Sequence, residues 1–130
     1  MHDIGRILVV EEDAHVRFFL SHALSSLGDG YEVLAMKSGA QALAAVAETD
    51  LDLLVSDVSP PGIERIHLTG AMRKEQPNLP VIWITSSAGA QIQEAAIDLR
   101  IDLLVEKPVE MVLLRETARE LLNSESENVC

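Results

Sequence analysis

The sequence predicts an α/β domain, a three-layer, doubly wound fold in which five parallel strands lie between layers of five helices. Short apolar runs alternate five times with longer amphipathic segments, and the connections between them are short. Strands that alternate with helices in this way form a parallel sheet with helices on both faces. The runs are rich in Val, Ile and Leu and mostly lack apolar–polar alternation, which indicates strands buried on both sides.

The five predicted strands are apolar runs that stop at polar or turn residues, and they span 7–10, 31–36, 51–57, 81–85 and 101–105. Each is followed by a segment with apolar residues at three- and four-residue steps, typical of a helix packed on one side. These helices are predicted to end near residues 27, 48, 75, 99 and 122. Ser38 is placed to cap the second helix, and Pro60-Pro61-Gly62 predicts a turn after the third strand.

Length and composition fit one domain with a substantial core. The chain has 130 residues, of which 48% are hydrophobic. We expect the domain to span 1–122 and residues 123–130 to form a polar tail.

The net charge of −11 argues against several partners. Binding to nucleic acids or to anionic membranes depends on cationic side chains, so we expect no direct contact with either. No apolar run approaches the ~18 residues of a membrane span, and no secretory signal pattern is visible, so we expect a cytoplasmic location. Cys130 is the only cysteine, which excludes an internal disulfide.

Polar side chains follow four of the five predicted strands. In chain order, these strand ends deliver Glu11 and Glu12, then Asp57, then Thr85 and Ser86, then Lys107 and Pro108. Parallel strands bring their carboxyl ends to one edge of the sheet, where ligands bind. We therefore expect three carboxylates, a hydroxyl and an ammonium to meet there.

The residue types in this set fit the chemistry of a metal-assisted phosphoryl transfer. Clustered carboxylates repel one another unless a cation joins them, and oxygen ligands suit Mg²⁺. A carboxylate nucleophile, Asp57, with Thr85 and Lys107 to bind phosphoryl oxygens, would form a phosphoryl-transfer site. Taken alone, the acidic residues after the first strand could instead simply favour the positive end of a helix.

With these residues in place, the sequence resembles the receiver domains of two-component response regulators. The resemblance covers about residues 5–122 and is carried by four motifs: Ile7 to Asp13, Asp57 with Pro61-Gly62 after it, Val81 to Thr85, and Lys107-Pro108. It implies a flavodoxin-like sheet of strand order 2-1-3-4-5. It also implies phosphorylation of Asp57 by a sensor histidine kinase or phosphotransfer protein, and signalling by conformational change to a downstream protein or output domain.

The resemblance also implies roles for individual residues. Three protein groups would bind Mg²⁺ directly and one through water: the Glu12 and Asp57 carboxylates, the Ser59 backbone carbonyl and, through water, Glu11. Thr85 would move toward the phosphoryl group and Lys107 would pair with it. The peptide bond before Pro108 would be cis. The domain would not be an enzyme, beyond catalysing its own phosphotransfer and dephosphorylation.

Four positions depart from the family pattern. Glu12 replaces the usual Asp, which is expected to weaken or rearrange metal binding. Arg65 stands where many receivers have a glycine, so the loop after the third strand is expected to bend differently. Pro60 stands where a bulky apolar residue is common, and it is expected to stiffen the same loop. Leu104 occupies the position of the switch aromatic, and Ser86 is small, which leaves access to Asp57 open.

Two alternatives stay open. These departures are also compatible with a degenerate receiver that acts as a phosphorylation-independent interaction module. The architecture also suits a flavin-binding electron carrier, although the acidic first loop and the scarcity of aromatics argue against one. The region of the last two helices and the fifth strand is compatible with a homodimer, through Gln91, Asp102, Arg115 and Arg119.

Overall fold

The computed structural model describes residues 5–28, 30–48 and 50–127 and has the predicted architecture. Strands and helices alternate along the whole described chain: β1 Gly5–Val10, α1 Ala14–Ser25, β2 Tyr31–Met36, α2 Gly39–Glu48, β3 Leu53–Asp57, α3 Ile63–Glu75, β4 Val81–Thr85, α4 Ala90–Asp98, β5 Leu103–Glu106, α5 Met111–Glu127. All neighbouring strands pair in parallel, in the order β2-β1-β3-β4-β5. This confirms the predicted fold and strand order.

The apolar strands divide their side chains between two cores because successive residues point to opposite faces of the sheet. On one face, Leu8, Leu54 and Trp83 pack with residues of α2, α3 and α4. On the other face, residues such as Val55 and Ile82 pack with α1 and α5. The strands therefore read as continuous apolar runs because both faces are covered.

Several element boundaries differ from the predicted ones. β3 begins at Leu53 instead of Leu51, because the preceding Asp52 uses its carboxylate to accept the Arg6 backbone N–H at 2.7 Å. α5 continues to Glu127, past the predicted helix end near Leu122. The domain boundary at residue 122 stays a prediction, and residues 128–130 of the predicted tail lie outside the described residues.

Within the described ranges, no helix is long and apolar enough to cross a membrane.

Candidate functional site

The centre of the candidate site is Asp57, the last residue of β3. Its Oδ1 accepts hydrogen bonds from the Ser59 backbone N–H at 2.8 Å and from the Ser59 hydroxyl at 2.5 Å. The same hydroxyl accepts the Ser86 N–H at 2.9 Å. Ser59 therefore fixes the carboxylate and ties the loop after β3 to the loop after β4. The predicted role of Ser59 lay in its backbone carbonyl alone, and no local pattern in the sequence points to its hydroxyl.

Lys107, which follows β5, brings its ammonium between two carboxylates. Its Nζ lies 3.3 Å from Asp57 Oδ2 and 3.2 Å from Glu11 Oε1. Glu11 follows β1 and is buried, and its other carboxylate oxygen accepts the Asp13 N–H at 3.1 Å. These three predicted residues, from three different strand ends, therefore meet as the sequence predicts.

The environment shifts the pKa of each of these groups. Burial and the nearby charge of Asp57 raise the pKa of Glu11, although its hydrogen bond from Asp13 opposes the shift. Burial alone would raise the pKa of Asp57, but hydrogen bonds from Ser59 and the charge of Lys107 lower it overall. Burial would lower the pKa of Lys107, and its two carboxylate partners raise it instead. The environment of Asp57 thus favours the carboxylate form of this side chain over the protonated form.

Glu12 lies differently from its neighbour Glu11. Its side chain is 83% exposed, and its Oε1 is 3.8 Å from Nη2 of Arg65. The Glu12 carboxylate therefore lies near the positively charged side chain of Arg65. Sequence reasoning noted Arg65 as a departure in the loop but did not place its side chain at the site.

Thr85 ends β4 and is buried, but its hydroxyl is engaged with its own loop. It donates to the Ser87 carbonyl at 2.9 Å and accepts the Ser87 N–H at 3.1 Å. No hydrogen bond joins Thr85 to Asp57 in the part of the chain that the structure describes. Ser86 is exposed, and its effect on access to Asp57 stays a prediction.

The remaining predicted positions lie on or after β5. The peptide bond between Lys107 and Pro108 is cis, as the resemblance implies. Leu104 is half-buried and pairs in register with Trp83 of β4. Trp83 is fully buried, and its indole N–H donates to the Thr69 hydroxyl at 3.0 Å. The aromatic ring beside Leu104 is therefore anchored to α3.

The expected metal ligands can be tested against this geometry. Among the described side chains, no three of the types His, Cys, Asp and Glu are grouped so as to hold a metal ion. The donor chemistry nevertheless fits a hard cation: Glu12, Asp57 and Ser59 all line one cavity of about 600 Å³ and offer oxygen ligands. Glu11 Oε1 is buried and is already paired with the Lys107 ammonium at 3.2 Å. The residues present therefore suit Mg²⁺, with Glu12 turned toward Arg65.

Known proteins share this sequence pattern. The chain is 31% identical over 116 residues to the sensor histidine kinase RcsC of Salmonella typhimurium. It is 32% identical over 99 residues to the DNA-binding transcriptional regulator NtrC of Escherichia coli K12. The matches cover 89% and 72% of this chain but 12% and 21% of the relatives, so the chain spans about a tenth to a fifth of their length.

Solved structures share the fold. A CheY-like response regulator receiver domain protein from Methanospirillum hungatei superposes with a TM-score of 0.86 at 24% identity, over 96% of this chain and 98% of that one. The response regulator TrrA from Thermotoga maritima, in complex with Mg²⁺-BeF, has a TM-score of 0.77 at 27% identity, over 92% and 100% of the two chains. The family model for the response regulator receiver domain matches residues 7–119. The chain therefore belongs to the response regulator receiver domain family.

Proposed function

We propose that this receiver domain is a phosphoacceptor of a two-component system and that Asp57 receives the phosphoryl group. The observation that carries the proposal is the position of the Asp57 carboxylate at the end of β3, with the Lys107 ammonium 3.3 Å away. Receiver domains are signalling domains and not classical enzymes. Family membership therefore favours signalling over the flavin-binding alternative.

The transfer step follows from these residues. An oxygen of Asp57 would form a bond to phosphorus as the bond from phosphorus to a donor histidine nitrogen breaks, and that nitrogen keeps the electron pair. The two hydrogen bonds from Ser59 hold the carboxylate in one orientation. Lys107 would bind phosphoryl oxygens through its ammonium. Mg²⁺, bound by Glu12, Asp57 and the Ser59 carbonyl, with Glu11 acting through water, would supply positive charge to those oxygens.

The proposal includes a change of conformation after transfer. Thr85 would exchange its two hydrogen bonds with Ser87 for one to the phosphoryl group, which moves the loop after β4. Leu104 would accommodate that movement without a tyrosine's hydrogen bond. The same chemistry would allow the domain to catalyse its own phosphotransfer and dephosphorylation.

Exposed apolar side chains near the site support a protein partner. Phe18 and Phe19 on α1 are 64% and 58% exposed, and Val112 on α5 is 57% exposed. Both helices begin just after strand ends that form the site. We propose that the domain works in the cytoplasm, that this surface meets a sensor histidine kinase or phosphotransfer protein, and that a downstream protein or output domain reads the change.

Intact mass spectrometry tests the proposal. The protein is incubated with a small phosphodonor and Mg²⁺, beside Asp57→Asn and the control Asp98→Asn, which changes an exposed carboxylate on α4. We expect one phosphoryl adduct on the parent and on the Asp98 variant, and none on the Asp57 variant. An unmodified parent, or equal adducts on all three, would contradict the proposal.

Two observations favour a second candidate function. Glu12 faces Arg65 at 3.8 Å instead of Asp57, and Leu104 lacks the switch aromatic's bulk. A degenerate receiver of this kind would bind its partner through a fixed surface. In that case Asp57→Asn would leave the affinity for the partner unchanged, and the parent would form no adduct.

A further inference from the structure

Arg65, in the first turn of α3, places a guanidinium beneath the site. Its side chain is only 10% exposed. Nη1 donates to the Val10 and Asp57 carbonyls, both at 3.4 Å, and Nη2 donates to the Lys37 carbonyl at 3.1 Å. Val10 ends β1, Lys37 follows β2 and Asp57 ends β3. One side chain therefore joins the carboxyl ends of three neighbouring strands.

The acidic residues of the site pair with two different cations. Lys107 lies against Glu11 and Asp57, at 3.2 and 3.3 Å. Glu12 lies against Arg65, at 3.8 Å, in the part of the chain that the structure describes. Glu12 is the carboxylate whose role as a metal ligand the proposed function requires. A metal ion that takes Glu12 as a ligand would therefore have to draw it from Arg65.

We propose that Arg65 is a built-in competitor of the divalent cation, which holds Glu12 and so sets how tightly the domain binds Mg²⁺. The inference rests on the proposed function, because it assigns Glu12 to the metal. The effect runs through the ligand. The guanidinium attracts the Glu12 carboxylate, so a cation that takes Glu12 as a ligand has to compete with Arg65 for it.

Arg65 is buried, so it differs from an ordinary surface charge that could move together with Glu12. A guanidinium is always ionised and is costly to bury unless its donors are satisfied. Three backbone carbonyls accept hydrogen bonds from it, and none of these bonds depends on Glu12. The Glu12 side chain is 83% exposed, so it can change rotamer while its backbone stays in place. The moving partner is therefore the carboxylate, and the fixed partner is the arginine.

Titration calorimetry with Mg²⁺ tests the proposal on the parent, Arg65→Gln, Arg65→Lys and the control Lys74→Gln. Lys74 is an exposed cation at the other end of the same helix. We expect Arg65→Gln to tighten Mg²⁺ binding about fivefold, the size expected from an ion pair with an exposed carboxylate. Arg65→Lys, which keeps a charge, should stay within about twofold of the parent, as should Lys74→Gln.

The effect should run through Glu12. In a Glu12→Gln background, Arg65→Gln should change the Mg²⁺ dissociation constant by less than about twofold, since no carboxylate is left to release. An effect of Arg65→Gln no larger than that of Lys74→Gln, or one that persists without Glu12, would overturn the proposal. So would a failure of both the parent and Arg65→Gln to bind Mg²⁺.

A measurement on the unmutated protein covers the case in which Arg65→Gln fails to fold. The Nε–H resonance of Arg65 is followed by NMR during a Mg²⁺ titration, together with the backbone amide of Ser59. We expect both to move with one dissociation constant. A shift of Ser59 without a shift of Arg65 would overturn this inference and leave the phosphoacceptor function standing. An Asp57 that accepts no phosphoryl group fails separately, in the mass experiment.

Discussion

The strands β3 and β5 share the sequence Asp-Leu-Leu-Val, at 52–55 and 102–105, yet they occupy different environments. In both, the aspartate makes two hydrogen bonds to the neighbouring strand. Asp52 accepts the Arg6 N–H at 2.7 Å and donates its own N–H to the Arg6 carbonyl, and Asp102 does the same with Val81, accepting at 2.8 Å. Four identical residues therefore begin a strand in the same way at both places.

The two strands differ in what surrounds them. β3 lies between β1 and β4, and Leu53 and Leu54 are fully buried. β5 lies at the edge of the sheet, and Leu103 and Leu104 are only half-buried. The comparison teaches that local sequence determines how a strand begins, whereas its position in the sheet determines what each side chain contributes. Three predictions test it, from the largest expected effect to the smallest.

The equivalent leucines are expected to differ in their contribution to stability. Leu54→Ala should lower the free energy of unfolding by about 3 kcal/mol, because it leaves a cavity in a closed core, and Leu104→Ala by about 1 kcal/mol. Urea unfolding followed by far-UV circular dichroism measures both. Equal losses would show that the edge strand is as tightly packed as the central one.

Asp57 at the end of β3 and Lys107 just after β5 are expected to act together in phosphoryl transfer. Lys107→Ala should slow adduct formation on Asp57 at least about tenfold, because it removes the cation that stabilises both the carboxylate and the phosphoryl oxygens. The time course of the phosphoryl adduct by mass spectrometry gives the rate.

Glu106→Gln is the matched control, since Glu106 is the exposed last residue of the same strand. Its rate should equal that of the parent. A Lys107 variant as fast as this control would remove Lys107 from the proposed site.

The two aspartates provide the smallest and most closely matched test. Asp52→Ala and Asp102→Ala should each cost about 1 kcal/mol, because each leaves a backbone N–H without its acceptor. The Asp102 carboxylate also lies 3.3 Å from Arg73 Nη2. Thermal unfolding compares them, and a negligible loss at both positions would contradict the role of these bonds. The homodimer contact through Asp102 stays a prediction.

Much of the fold could be predicted because the signals are local. Apolar runs, helical periodicity and turn residues each fix a short segment, and short crossovers leave few topologies. The boundaries were less predictable. Leu51 and Ile101 are as apolar as the strand residues after them, but the aspartates that follow turn their carboxylates to a neighbouring strand, so the strands begin at Leu53 and Leu103.

The site shows the same division. The sequence by itself determined that Glu11, Asp57 and Lys107 stand at strand ends, and a parallel sheet brings such ends to one edge. Only the tertiary structure decided how the charges pair. Glu11 and Glu12 are adjacent and chemically alike, yet one is buried against Lys107 and the other is exposed against Arg65. Successive side chains leave the backbone in different directions, and their partners come from segments more than fifty residues away along the chain. The fold therefore determines which cation lies near each carboxylate, and no local sequence pattern contains that information.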